Sequence, residues 1–66
     1  MQILLNGETT SIAENTTAAK LVEQLGLHNR RLAMEVNKEI IPRSEYENYV
    51  FRANDCVEVV QAIGGG

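Results

Sequence analysis

Apolar and polar positions change period several times along the chain, and each change marks an element. Met1–Leu5 is an apolar run of strand formers, and Asn6-Gly7 follows it, the dipeptide that best tolerates the two positive φ angles of a type I′ turn. A hairpin is predicted, returning through Glu8–Ile12 before Ala13-Glu14-Asn15 breaks the pattern. Ala18, Leu21, Val22 and Leu25 then fall at i, i+3, i+4 and i+7, the stripe of an amphipathic helix, with Lys20, Glu23 and Gln24 on its outer face. Thr17 is placed to cap this helix at its start, and Gly26 to end it with a left-handed residue. From Arg30 to Val36 the period falls to two: Leu32, Met34 and Val36 alternate with Ala33 and Glu35, as in a half-buried strand.

Asn37-Lys38 reads as a tight turn, and Glu39–Ile41 as a brief strand stopped by Pro42, which lacks the backbone donor a central ladder needs. Ser44 and Glu47 fit the S-x-x-E capping box, which predicts a single helical turn over Glu45–Tyr49. Ala53-Asn54-Asp55 is a turn candidate. Cys56–Gln61 is the last strand, with Val57 and Val59 on one face and Glu58 and Val60 on the other. The order of hairpin, one main helix, strand, short strand, helical turn and strand predicts an α+β domain, a ubiquitin-like β-grasp with one helix packed on a mixed sheet. Its expected extent is residues 1–62, with 63–66 a flexible glycine tail.

Composition narrows the function without naming it. Sixty-six residues allow one small core, since chains of this size bury only about 60% of their unfolded surface. A 44% hydrophobic content is that of a folding chain. No apolar run reaches the roughly 20 residues of a membrane helix, and Met1 leads into its apolar segment without the basic start of a signal peptide; a cytoplasmic protein with no membrane partner is expected. Cys56 is the single cysteine, which excludes an internal disulfide and clusters built on several thiolates. The net charge of −3 argues against a nucleic-acid partner and suits a protein with a basic patch.

Few side chains suggest chemistry of their own. Cys56, at the start of an apolar strand, reads as a small packing residue, and His28 as a solvated loop residue with no ligand partner in sequence; no metal site and no bound cofactor are expected. Tyr46, Tyr49 and Phe51 read as the edge of the core. Arg30, Arg31 and Arg43 are either docking residues for an acidic patch or solvated charges in weak pairs. Paired carboxylates, a Ser-His-Asp set and a phosphate-cradling loop are all missing from the pattern, so an enzyme is not expected.

The remaining feature is Gly64-Gly65-Gly66. A glycine arm is the thinnest chain available and can thread a narrow channel to bring a terminal carboxylate to ATP in another protein's active site. Adenylation would turn one carboxylate oxygen into a leaving group, after which a persulfide or thiol can attack the carbonyl carbon. On the glycines alone, a frayed terminus or a cloning scar is the simpler explanation.

The stretches MQILLNGE, TAAKLVEQL, RRLAMEVNKEIIPRSEY and NDCVEVVQAIGGG, in this order and spacing, give the chain its family likeness: it resembles the ThiS family of thiamine-biosynthesis sulfur carriers over nearly its whole length. The resemblance implies that the Gly66 carboxylate is adenylated with ATP by a ubiquitin-activating-like adenylyltransferase (ThiF), converted to a thiocarboxylate, and used as a sulfur source by thiazole synthase (ThiG). It places Gly65 and Gly66 at the working end. Ile63 matches the apolar tail residue that docks on the activating enzyme, and Gly64 is a looser match. Val60, exposed beside the tail, is expected to join Ile63 in docking, with Arg43 a further candidate. Ala18 departs from the larger β-branched residue expected there. The small subunit of molybdopterin synthase and a ubiquitin-like protein modifier share the fold and the Gly-Gly end and stand as alternatives.

Overall fold

A computed structural model describes residues 1–61. Five strands form one sheet: β1 (Gln2–Leu5), β2 (Glu8–Ser11), β3 (Leu32–Val36), β4 (Glu39–Ile40) and β5 (Cys56–Gln61), in the order β2-β1-β5-β3-β4. The hairpin closes as the Asn-Gly pair dictates, with φ of 49° at Asn6 and 83° at Gly7. A second turn of the same hand, Asn37 at 52° and Lys38 at 72°, joins β3 to β4. β5 lies in the middle, parallel to β1 and antiparallel to β3. It is the strand that binds the two hairpins into one sheet.

The helix α1 (Ala18–Gln24) covers one face. Its first four N–H groups would be orphans without outside acceptors. Ala18 N–H donates to Tyr49 O at 2.8 Å and Ala19 N–H to Tyr46 O at 2.9 Å, while Lys20 N–H is capped by the Thr17 hydroxyl at 3.1 Å. Leu21 N–H closes the first helical bond to Thr17 O. Gly26, at φ 74°, ends the helix in the left-handed conformation the sequence anticipates. Ala18, Leu21 and Val22 pack against Ile3, Met34, Val36, Val57 and Val59, and Ile12, Ile41, Tyr46 and Phe51 close the rim. Tyr49 meets Phe51 edge to face, with ring centroids 5.6 Å apart. Of the three aromatic residues expected at the edge of the core, only Tyr49 borders it; Tyr46 and Phe51 are buried members of it, as is the small Ala18.

The expected helical turn over Glu45–Tyr49 is present, closed by the Tyr49 N–H donating to Glu45 O at 2.9 Å, but Ser44 does not cap it. A 3₁₀ turn at Arg43–Glu45 precedes it instead, headed by Pro42, whose carbonyl accepts the Glu45 N–H at 2.9 Å, so the helical segment begins earlier than a capping box would place it. Tyr46 is thereby delivered into the core.

Candidate functional site

Strand alternation gives the sheet two unlike faces. Ile3, Met34, Val36, Val57 and Val59 point to the helix, whereas Leu4, Ala33, Glu35, Ile40, Cys56, Glu58 and Val60 belong to the opposite face. The registers place Leu4 beside Cys56, Val60 opposite Ala33, and Glu35 between Glu58 and Ile40. Val60 is 60% exposed and Ile40 63% exposed. Large apolar side chains on an open strand face favour contact with a partner surface. Glu35 and Glu58 stand directly opposite one another, an arrangement of like charges that costs the sheet stability and that a partner's cation would relieve. The open face is thus an apolar ground around two carboxylates.

Two asparagines fix β5, the strand that carries this face. At its start, Asn37 Oδ1 accepts the Cys56 N–H at 3.0 Å, and Asn37 Nδ2 donates to Asp55 Oδ1 at 3.1 Å. The other Asp55 oxygen, Oδ2, accepts the Arg52 N–H at 2.9 Å, so the buried carboxylate is satisfied on both sides. Further along, Asn6 Oδ1 accepts the Val59 N–H at 2.8 Å and its Nδ2 donates to Val59 O at 3.2 Å. Sequence reasoning read both asparagines as turn residues alone. Their positive φ was legible, but their cross-sheet partners had no local signal.

The expected site residues separate. Val60 is on the open face, near the end of β5. Arg43 is on the helix side, in a groove lined by Ala19, Val22, His28, Tyr46 and Glu47. Its guanidinium donates to Arg30 O at 3.1 Å and to His28 O at 3.2 Å, tying the 3₁₀ turn to the loop after α1. Beside it, burial raises the Tyr46 hydroxyl above its ordinary pKa, with Arg43 opposing the shift. His28 is exposed. Cys56 corrects the reading of a packed thiol: its register beside Leu4 turns it to the open face, away from Val57 and the helix, and it is exposed. Among the described residues, no three His, Cys, Asp or Glu side chains are grouped to hold a metal ion, and no helix is long and apolar enough to cross a membrane. Ile63, Gly64, Gly65 and Gly66 lie outside the described residues.

A mixed sheet of five strands, with β5 parallel to the first strand of a hairpin and one helix packed on a single face, defines a ubiquitin-like β-grasp protein. The ThiS family model matches residues 3–66. The sulfur carrier protein ThiS of Escherichia coli K12 is 32% identical over 66 residues, covering the whole of both chains. A thiazole synthase of Paramagnetospirillum magneticum is 36% identical over the same 66 residues, but the chain spans only 20% of its length. The crystal structure of a thiamine biosynthesis protein (ThiS) from Geobacter metallireducens superposes over the whole of both chains with a TM-score of 0.85 at 25% identity. The chain belongs to the ThiS family.

Proposed function

We propose that this protein is a sulfur carrier for the thiazole part of thiamine, with the Gly66 carboxylate as the group that carries sulfur. The observation that supports this most is the end-to-end match to the Escherichia coli carrier, together with a family match that runs through Gly66. In the proposed cycle a Gly66 carboxylate oxygen attacks the α-phosphorus of ATP on the adenylyltransferase ThiF, and pyrophosphate leaves. A persulfide then attacks the carbonyl carbon of the acyl adenylate, AMP departs with one of the original carboxylate oxygens, and a second thiol cleaves the resulting acyl disulfide, releasing the thiocarboxylate and leaving a disulfide on the donor; hydrosulfide as the nucleophile would give the thiocarboxylate directly. The thiocarboxylate is the cosubstrate of thiazole synthase, ThiG. That the thiazole synthase of Paramagnetospirillum magneticum contains a segment 36% identical to this chain supports that pairing.

Docking is assigned to the open face. Val60 supplies exposed apolar contact there, and Glu35 and Glu58 supply the charge that a basic partner surface complements. Ile63, outside the described residues, is a docking residue on the family resemblance alone. Arg43, on the other side of the domain, is the lesser docking candidate, since its guanidinium already holds the His28 and Arg30 carbonyls.

The reaction is tested by incubating the protein with ATP, its adenylyltransferase and a sulfur source. Intact mass should show one oxygen replaced by sulfur, in the wild-type chain and only when ATP is present. An unchanged mass with an enzyme shown to be active would refute the carrier reading.

A further inference from the structure

Asn6 stands where β1 leaves β5. The two strands run parallel through the pairs Leu4–Cys56 and Leu5–Val57, and Asn6 N–H still donates to Val57 O at 2.8 Å. At this point the main chain swings away through the left-handed pair Asn6-Gly7. The Asn6 side chain continues the ladder one step beyond the turn, with its two bonds of 2.8 and 3.2 Å to the N–H and C=O of Val59. A primary amide offers the same donor and acceptor as a peptide unit. It therefore substitutes for the strand residue that the turn removes. On the other flank, β3 holds β5 as far as the Leu32–Gln61 pair. The N–H and C=O of Val59 are thus both taken by Asn6, while the register with β3 flanks the strand on its other side through Val60 and Gln61.

We propose that Asn6 is a positioning residue for the carrier end: it locks Val59, upstream of Gly66, so that the segment following it is delivered to the activating enzyme from a fixed point. The inference rests on the carrier reading. Delivery matters because adenylation demands near-attack geometry, and a displacement of about 1 Å costs about 100-fold in rate. Asn6 also satisfies a turn that requires a left-handed residue, and the two roles can be separated. Glycine adopts positive φ at least as readily, so Asn6→Gly preserves the type I′ turn while removing both bonds to Val59.

The test compares wild type and Asn6→Gly below the unfolding transition of each, using amide exchange at Val59 and the steady-state kinetics of ATP-dependent pyrophosphate release by the adenylyltransferase. In the wild type the Val59 N–H should be protected. In Asn6→Gly it should exchange faster, and kcat for activation should fall about tenfold while KM for the carrier stays within twofold, because the open face that docks is intact. A merely structural role would lower the urea midpoint and leave kcat unchanged in the folded variant, which would overturn the proposal. An unprotected Val59 N–H in the wild type would overturn it without any variant. If the wild type itself releases no pyrophosphate, the carrier reading fails, and this inference with it; if the wild type is activated and Asn6→Gly equally so, the inference alone fails.

Discussion

Deleting Gly66, or appending one residue after it, is expected to reduce activation by ATP to the detection limit while the far-ultraviolet circular dichroism and urea midpoint stay those of the wild type. Each residue of extended chain spans about 3.3–3.6 Å. A terminus ending at Gly65 would fall short of the α-phosphorus by that distance, whereas catalysis already loses about 100-fold for a 1 Å error. An appended residue converts the Gly66 carboxylate to a peptide carbonyl, which cannot attack ATP. Stability is untouched because the core among the described residues runs from Ile3 to Val59. Pyrophosphate release and urea titration on the two variants check this. Retained activation in either would show that another group carries the chemistry.

Leu21→Ala should have the largest effect on stability. Leu21 is 2% exposed, at the centre of the helix stripe that closes over the sheet, and removing its branched end leaves a cavity that costs about 2–5 kcal/mol. Small domains have totals near the lower part of the roughly 5–15 kcal/mol range, so this variant should be substantially unfolded at physiological temperature. Val60→Ser is the counterpart. At 60% exposure on the open face it should change stability by no more than about 0.5 kcal/mol. Urea midpoints at unchanged m-value measure both. Equal losses in the two variants would contradict the assignment of the sheet's inner and outer faces.

Much of this architecture was legible because its signals are local. Asn6-Gly7 announced its hairpin through the dipeptide that tolerates that turn best, Thr17 through a hydroxyl three residues ahead of the N–H it caps, and Cys56–Gln61 through alternation. The same alternation placed Val60 outside and Val57 inside. What was not legible depends on distant partners. The 3₁₀ turn is set by the Pro42 carbonyl and by the burial of Tyr46, both consequences of the packed fold and absent from the S-x-x-E spacing. The exposure of Cys56 follows from its register beside Leu4, a pairing across most of the chain. Asn6 and Asn37 showed their turns in sequence but gave no sign that their amides hold β5. As for the candidate site, the open face could be read at Glu58 and Val60; Leu4, Ile40 and Glu35 join them only once the strand order is known. The glycines said least by themselves, since three residues without side chains carry no pattern, and it was the family resemblance that gave Gly66 its expected chemistry.

The most direct test of the central claim is the mass of the protein isolated from its own cells under thiazole demand, with fragmentation to locate any change. A carrier should appear partly as a species with one oxygen replaced by sulfur, the substitution confined to Gly66. Finding only the unmodified carboxylate under that demand, or the Gly66 carboxyl joined to lysine side chains of other proteins, would contradict it.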